Sequence, residues 1–295
     1  MREGRPSFTA LAVAIGRGIG TADDELDRSA AQLVPPTLGR ALSWIGRSDT
    51  PELVRSALRV ASLGMVDHVS LRRAAIDAAL VDAIDAGATQ LVILGAGLDG
   101  RAWRLDALRE LTVFEVDHPD TQAGKQRRVE GRPATAADVR FVAVNFERDV
   151  LGERLAAAGH DPSQRSAWIW EGVTPYLHPA AIQATLTDVS ERSAAGSRLI
   201  VSYAVPELTV LQSPTLARVI QAGFAALGEP LHGAIASDAF AEQLAHHRFT
   251  VLDDSNNRRW AHEHGGNALL ARAFDAERLV VAEAVMRTPR EIADR

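Results

Sequence analysis

The sequence has no cysteine, although the chain is 295 residues long. The absence of cysteine excludes disulfides, thiolate catalysis, iron–sulfur clusters and cysteine-ligated zinc. It also suits a reducing compartment. A chain of this length buries enough surface on folding to be stable without covalent cross-links. We therefore expect an ordinary globular protein that acts without thiol chemistry.

The chain also lacks an excess of basic residues and a long apolar run. Its net charge is −6, whereas proteins that bind nucleic acid usually carry a basic patch. The apolar stretch at 8–15 is too short to cross a bilayer, and no basic segment of the kind found in signal peptides precedes it. We expect a cytoplasmic protein with neither a nucleic-acid nor a membrane partner.

Residues 1–87 favour helices. Candidate helices cover 10–19, 37–45 and 71–86, and a further helix begins near Thr50, the expected N-cap, with Pro51 in its first turn. The last of these helices ends at Gly87, a residue type that commonly ends helices. This part of the chain is predicted to form an N-terminal helical extension.

From residue 90 onward, short apolar runs alternate with helical patterns. The predicted strands are 90–94, 111–116, 139–144, 167–170, 198–203, 249–252 and 279–286. The predicted helices between them are 99–109, 119–130, 147–159, 178–194, 207–227 and 237–247. This alternation predicts an α/β domain at 88–295 with a doubly wound, mainly parallel seven-stranded sheet. The polar stretch at 253–266 predicts an irregular connection between the last two strands.

A glycine-rich turn follows the first predicted strand. Gly95, Gly97 and Gly100 satisfy the G-x-G-x-x-G pattern, and Glu115 or Asp117 supplies the acid expected about 20 residues later. The pattern permits NAD. A carboxylate at Asp99 inside the turn is unfavourable beside two phosphates, so S-adenosylmethionine, which has none, fits better. A third possibility is that these glycines only form a tight turn between strand and helix and bind no ligand.

Three longer segments carry a resemblance to a known family. The segments are QLVILGAGLDGRAWRL at 90–105, VFEVDHPDTQAGK at 113–125 and WIWEGVTPYL at 168–177. Together they resemble the leucine carboxyl methyltransferase family, in particular its bacterial branch of S-adenosylmethionine-dependent O-methyltransferases. The resemblance implies a class I methyltransferase with a Rossmann-like fold. It also implies methylation of a carboxyl or hydroxyl oxygen of a small molecule, such as a polyketide-like natural product.

The resemblance implies roles at the methionine end of the cofactor. Arg72, with Arg73 as the alternative, matches the arginine that binds the methionine carboxylate, for which a guanidinium offers a planar fork. Glu171 matches the acid that faces the ammonium. Gly95 and Gly97 match the glycines beneath this moiety.

It also implies roles at the adenosine end. Asp117, in preference to Glu115, matches the carboxylate that holds the ribose hydroxyls. Asn145 and Phe146 match the positions beside adenine. The family usually has Asp where Asn145 stands, although an Asn oxygen can still accept a hydrogen bond from the adenine amino group.

The acceptor side of the expected site is less defined. Tyr176 follows the fourth predicted strand and Tyr203 ends the fifth. Both lie at the edge where ligands bind in such sheets, so they are candidates for the substrate pocket. The 253–266 segment, with Arg259 and Trp260, is expected to cap that pocket. No general base stands out, and the histidine spacing predicts no metal site.

Two departures from the family pattern leave a further alternative open. Gly100 stands where the family commonly has Thr or Ser, and Pro175 stands where an apolar residue is usual. Both departures affect the expected floor of the active site. Besides an O-methyltransferase, the sequence therefore permits a non-catalytic S-adenosylmethionine-binding protein, and the glycine pattern permits an NAD-linked oxidoreductase.

Overall fold

A computed structural model describes residues 8–19, 28–45, 50–62, 64–206, 233–265 and 274–286. The predicted helix at 207–227 lies outside these ranges. The strands are β1 (Gln90–Leu94), β2 (Thr112–Asp117), β3 (Asp138–Ala143), β4 (Ser166–Trp170), β5 (Arg198–Ala204), β6 (Phe249–Asn256) and β7 (Glu277–Ala284). None of the helices in the described ranges is long and apolar enough to cross a bilayer.

The helices fall into two groups along the chain. Those before the sheet are α1 (Phe8–Ile19), α2 (Arg28–Leu33), α3 (Pro36–Ile45), α4 (Glu52–Ala61) and α5 (Met65–Asp85). Those between and after strands are α6 (Arg101–Arg104), α7 (Pro119–Val129), α8 (Leu151–Ala157), α9 (Pro179–Glu191), α10 (Ser237–His246) and α11 (Asn257–Glu263).

The strand order is β3-β2-β1-β4-β5-β7-β6. Strands β1 to β5 pair in parallel, and β7 is antiparallel to both of its neighbours. The predicted doubly wound, mainly parallel seven-stranded sheet is confirmed. Because the chain passes from β1 to β2 on one side and returns to β4 on the other, the carboxyl ends of β1 and β4 form a switch point, the usual ligand position in such sheets.

Both faces of the central strands are buried. Every residue of β1 and β4 is buried, which explains why these strands read as almost entirely apolar runs. Trp168 and Trp170 pack toward α8 and α9, while Ile93 and Ile169 pack toward α5. The helices on both faces therefore cover the central strands.

The N-terminal helices pack close to the glycine-rich turn. Ala14 of α1, Leu33, Leu42 and Val66 form an apolar cluster that includes Leu98 of the turn. This contact brings the second half of α1 to the carboxyl edge of the sheet. The division of the chain at 87 and 88 stays a prediction.

Two local predictions are wrong. Helix α4 has Pro51, not Thr50, at its N-cap, because the Thr50 hydroxyl donates to the Trp44 carbonyl at 2.6 Å instead. The polar stretch after Leu252 is not an irregular connection, since β6 continues to Asn256 and α11 follows at once. The register shifts between Val251 and Asp253, and the residues after the shift are polar, so only the first half of the strand could be predicted from the sequence.

Candidate functional site

The glycine-rich turn is packed tightly against its surroundings. Gly95 and Gly97 have positive φ values of 71° and 45°, which glycine adopts without strain. A Cβ atom at Gly95 would clash with the side chain of Val173, in the loop after β4. The backbone N–H groups of Gly95 and Ala96 donate to the Val116 carbonyl at 2.8 and 2.9 Å. The turn is thereby fixed between the ends of β2 and β4.

We expect Gly95→Ala to lower the free energy of unfolding by about 1–3 kcal/mol, because it combines a strained φ with a steric clash. Urea unfolding measures the change. Gly131→Ala is the matched control, since Gly131 has the same φ of 71° but nothing within 4 Å of the added Cβ. Equal losses in the two variants would contradict the close packing at Gly95.

Asp117 lies at the end of β2, directly beside this turn. Its carboxylate accepts hydrogen bonds from the backbone N–H of Gly97 and from that of His118, the latter at 2.6 Å. Burial raises the pKa of Asp117, and these hydrogen bonds only partly oppose the rise. The structure thus brings two of the predicted residues, Gly97 and Asp117, into direct contact.

Glu115 lies two residues earlier on β2 and has a different environment. Its side chain is 1% exposed and forms an ion pair with Lys125 Nζ at 2.6 Å. Burial raises the pKa of Glu115 to about 7, although Lys125 opposes the shift. The lysine also lies 5.3 Å from the centre of the Trp103 ring. Glu115 therefore belongs to a closed internal pair, which favours Asp117 as the acid that faces a ligand.

Glu171 follows β4 and lies among three arginines. Its Oε1 accepts from Arg17 at 2.8 Å and from Arg72 Nε at 3.1 Å, and its Oε2 accepts from Arg101 at 3.1 Å. Burial alone would raise the pKa of Glu171, but the three guanidinium groups outweigh it and hold the pKa well below its usual range. Glu171 is thus a buried, ionised carboxylate at the switch point.

Arg72, on α5, also binds a second carboxylate. Its Nη1 donates to both oxygens of Glu277, at the start of β7, over 2.6 and 2.9 Å. His68 Nε2 lies 2.7 Å from the same carboxylate. Arg72 therefore links α5 to the ends of β4 and β7, and the neighbouring Arg73 is also buried on this helix.

Glu277 predicts a dependence of stability on pH. Burial alone would raise its pKa, but Arg72 and His68 lower it from its ordinary 4.5 to about 2. The stabilisation is therefore fully present above pH 4.5 and is lost as the pH falls toward 2. We expect the difference in unfolding free energy between the wild type and Glu277→Gln to shrink by about 2 kcal/mol from pH 6 to pH 3. A difference independent of pH in urea unfolding would contradict this role.

Asp99 forms an internal ion pair, so the expectation that it places an uncompensated carboxylate beside the phosphates of a dinucleotide is wrong. Its side chain is buried, and its carboxylate accepts from the backbone N–H of Arg101 at 2.8 Å and from the Arg101 guanidinium. Burial alone would raise the pKa of Asp99, but Arg101 and Arg17 outweigh it and lower the pKa. The charge of Asp99 is therefore compensated within the protein and does not by itself disfavour two phosphates at the turn.

Sequence reasoning missed three members of this network. Arg17, Arg101 and Glu277 all contact predicted site residues, and each comes from a different part of the chain. Arg101 lies within the glycine-rich segment that carries the family resemblance. The only indication of Arg17 in the sequence was that it is the single charged residue of the otherwise apolar helix α1.

Asn145 and Phe146 follow β3, close to Asp117. The backbone N–H of Val144 donates to the Asp117 carbonyl at 2.9 Å. The Asn145 side-chain oxygen accepts from the backbone N–H of Glu147 at 3.0 Å, which closes a local turn. Phe146 is partly buried against the core. These residues share the carboxyl edge with Asp117.

The two predicted pocket tyrosines differ in environment. Tyr203 is 1% exposed, its ring lies 4.7 Å from that of Phe240, and its hydroxyl donates to Asp254 Oδ2 at 2.8 Å. Burial, with the contribution of Asp254, raises the pKa of Tyr203 to about 12. Tyr203 therefore packs in the core, whereas Tyr176 is partly exposed in a 3₁₀ turn, Thr174–Tyr176, after β4.

The predicted capping segment is also part of the folded core. Trp260 of α11 is fully buried, and its Nε1 donates to Ser255 Oγ at 2.8 Å. Arg259 is exposed and pairs with Asp253 and with Glu263. The expectation that Trp260 caps a substrate pocket is wrong, because its large apolar ring is more stable when packed against α5.

Two surface grooves lie away from this network. The larger, of about 550 Å³, is lined by Trp103, Phe141 and Arg127 near the β3 edge. The other, of about 470 Å³, lies at the amino edge of the sheet beside Arg165 and Met286. Within the described ranges, no group of three His, Asp or Glu side chains could hold a metal ion.

Known proteins similar to this chain are candidate S-adenosyl-L-methionine-dependent methyltransferases of mycobacteria. A protein of Mycobacterium marinum is 40% identical over 200 residues, which cover 65% of this chain and 63% of the relative. A protein of Mycobacterium avium is 37% identical over 218 residues, which cover 71% of this chain and 67% of the relative. The match thus spans less than two thirds of the Mycobacterium marinum protein.

Solved structures support the fold at lower identity. A DUF574 family protein of Streptomyces avermitilis superposes with a TM-score of 0.62 at 15% identity, over 96% of this chain and 99% of the other. A candidate methyltransferase of Thermobifida fusca gives 0.60 at 15% identity, over 97% of each chain. The family model for leucine carboxyl methyltransferase matches residues 10–190, more than half of the sequence. The chain therefore belongs to the leucine carboxyl methyltransferase family, whose cofactor is S-adenosylmethionine.

Proposed function

We propose that the protein is an S-adenosylmethionine-dependent O-methyltransferase. Its acceptor is a carboxyl or hydroxyl oxygen of a small molecule, of the class of polyketide-like natural products. The observation that carries the proposal is the set of groups at the carboxyl edge of the sheet. A buried carboxylate at Asp117, a turn without side chains at Gly95 and Gly97, and opposite charges at Arg72 and Glu171 match the parts of this cofactor.

The adenosine half fits the groups around Asp117. A carboxylate accepts hydrogen bonds from both hydroxyls of a ribose, and the glycine-rich turn lets a ligand approach the backbone. The Asn145 oxygen would accept from the adenine amino group, and the Phe146 ring would pack on the adenine face. These residues would hold the nucleoside end.

The methionine half needs one group of each charge. The Arg72 guanidinium would bind the carboxylate, and Glu171 would bind the ammonium. A buried carboxylate is costly without cationic partners, and Glu171 already has such partners in its arginines. The carboxylate and ammonium of the amino-acid end together add no net charge to this buried network, and the remaining positive charge of the cofactor is on its sulfonium.

When bound, S-adenosylmethionine supplies an electrophilic methyl group on a sulfonium. The main task of the protein's residues is then to hold the cofactor and the acceptor in the correct relative orientation. An in-line displacement requires the acceptor oxygen, methyl carbon and sulfur to be collinear. The chain has no cysteine, which excludes a methyl relay through a thiolate, and the proposed transfer runs directly from the sulfonium to the acceptor. A carboxylate acceptor needs no base, whereas a hydroxyl acceptor benefits from one.

A non-catalytic cofactor-binding protein is the second candidate. Gly100 and Pro175 depart from the family pattern near the expected active-site floor. Gly100 is the N-cap of α6, where it offers no side-chain oxygen to the helix. This candidate predicts cofactor binding without methyl transfer to any acceptor.

Calorimetric titration tests the cofactor directly. We expect S-adenosylhomocysteine, the product form, to bind, and NADH at the same concentrations to give no heat of binding. Binding of NADH alone would overturn the methyltransferase proposal in favour of an oxidoreductase. Transfer of a labelled methyl group to carboxylate- and phenol-bearing acceptors then separates the catalyst from the non-catalytic candidate.

A further inference from the structure

The groove of about 550 Å³ at the β3 edge of the sheet is built differently from the rest of the surface. Its apolar lining comes from Trp103 of α6, Val129 of α7, and Val139 and Phe141 of β3. The rings of Trp103 and Phe141 lie 6.4 Å apart, with 28° between their planes, so together they form one aromatic wall. A concave, mostly apolar site of this size is typical of small-molecule binding.

The aromatic wall is held in place from the inside of the protein. Trp103 lines the groove, and its ring centre also lies 5.3 Å from the buried Nζ of Lys125. The same Nζ pairs with Glu115 at 2.6 Å. A cation over an indole ring is favourable, and both partners of this ion pair are fixed in the core. The wall is therefore already formed before any ligand binds, which lowers the cost of binding.

The rim of the groove carries a local excess of positive charge. The stretch 125–132 contains four cationic side chains and one carboxylate, that of Glu130, although the net charge of the whole chain is −6. Within the described ranges, Lys125 pairs with Glu115, whereas Arg127, Arg128 and Arg132 form no ion pair. Arg127 and Arg132 are exposed and line the groove, as does Glu130.

These arginines crowd one another. Burial and the charge of Arg127 both lower the pKa of Arg128. A cleft lined by charges of one sign raises the local concentration of the opposite ion. Two guanidinium groups and one carboxylate leave the rim with a single net positive charge, which suits a ligand with one negative charge.

We propose that this groove binds a planar aromatic anion, of the class of aromatic carboxylates. The ring of the ligand packs against Trp103 and Phe141, and its carboxylate binds Arg127 and Arg132, for which the planar guanidinium fork is well suited. None of these residues belongs to the cofactor site, so the inference goes beyond the proposed function and does not require methyl transfer.

The test compares two probes that share one ring system. 2-Naphthoate carries a carboxylate, whereas 2-naphthamide has the same shape without the charge. By calorimetric titration of the full chain, we expect 2-naphthoate to bind at least about tenfold more tightly than 2-naphthamide. Equal affinities would remove the arginines from the site and overturn the inference.

Two groove variants separate the charge from the aromatic wall. Arg127→Gln/Arg132→Gln should weaken 2-naphthoate by at least about tenfold and leave 2-naphthamide within about twofold of the wild type. Phe141→Leu keeps an apolar side chain but removes the ring, so it should weaken both probes by about two- to tenfold. A Phe141→Leu variant that binds both probes as the wild type does would overturn the aromatic wall.

Arg40→Gln/Arg154→Gln is the matched control. It removes the same charge from two exposed arginines that do not line the groove, and it should leave both affinities unchanged. Equal losses in this control and in Arg127→Gln/Arg132→Gln would show a general charge effect and overturn the site.

The remaining outcomes concern the occupant. If 2-naphthoate does not bind the wild type even at millimolar concentration, as expected if a second copy or another part of the chain covers the groove, the inference is overturned. Binding that is equal in the wild type and in Arg127→Gln/Arg132→Gln takes place elsewhere, for example in an acceptor pocket, and also overturns it. A loss of 2-naphthoate affinity confined to the groove variants supports the site.

Discussion

Asp117→Ala is expected to weaken the binding of S-adenosylhomocysteine by at least about 100-fold. The estimate assumes two ribose hydroxyls bound to one buried carboxylate, at about 1.5–3 kcal/mol for each hydrogen bond to a charged group. The substitution also removes the acceptor of the Gly97 and His118 N–H groups, so the glycine-rich turn loses its anchor. Calorimetric titration measures the affinity.

Two further variants show whether this loss is specific. Asp138→Ala removes an exposed carboxylate, paired with Arg140, from the other end of a neighbouring strand and should leave the affinity unchanged. Glu115→Gln removes the charge of the acid that sequence spacing alone also permits. Unchanged affinity in Asp117→Ala, together with a large loss in Glu115→Gln, would transfer the ribose role to Glu115.

Glu171→Gln is expected to have the largest effect on stability, a loss of about 3–5 kcal/mol in the free energy of unfolding. Removal of one charge from a buried ion pair leaves its partners buried and uncompensated. Here the partners are the guanidinium groups of Arg17, Arg72 and Arg101. Urea unfolding at neutral pH, where the carboxylate is ionised, measures the loss.

An exposed glutamate provides the comparison. Glu263 pairs with Arg259 one helical turn away, and both side chains are largely in solvent. Since exposed pairs contribute little, Glu263→Gln should change the unfolding free energy by less than about 1 kcal/mol. If Glu171→Gln were as mild as Glu263→Gln, the three arginines would not depend on this carboxylate.

The parallel part of the sheet could be predicted from the sequence, because strands that are buried on both faces consist of nearly continuous apolar residues. Strands β1 and β4 consist of buried residues, so their apolar runs differ clearly from the helical patterns around them. Only the first half of the edge strand β6, at 249–252, could be predicted in this way. The second half of β6 is polar, and its register shifts between Val251 and Asp253. The sequence around Trp260 was therefore predicted to be a loop.

The site was predictable only where its residues lie next to a strand end. Asp117 and Glu171 follow directly after β2 and β4, so the sheet topology places them together. Arg17 and Glu277 lie 154 and 106 positions away from Glu171 along the chain, and no local pattern relates them. Tyr203 shows that a position near a strand end is not sufficient. It lies close to the carboxyl end of β5, but its side chain is buried in the core rather than in a pocket.

Helix α5 of the N-terminal extension carries ionic residues that pair with carboxylates at the sheet. For this reason its sequence is typical of a helix but has little amphipathic pattern. Arg72 and Asp77 lie on this helix beside fully buried Ile76 and Leu80. A helix that must present both apolar and ionic groups to the interior does not have a single polar stripe. The identity of the buried ionic residues could therefore not be inferred from periodicity.

A crystal structure of the chain with S-adenosylhomocysteine would show directly which groups hold the cofactor. The proposed function predicts the ribose hydroxyls on Asp117, the ammonium on Glu171 and the carboxylate on Arg72. A nucleoside bound elsewhere, for example in the groove beside Trp103, or a ribose held by Glu115, would contradict it.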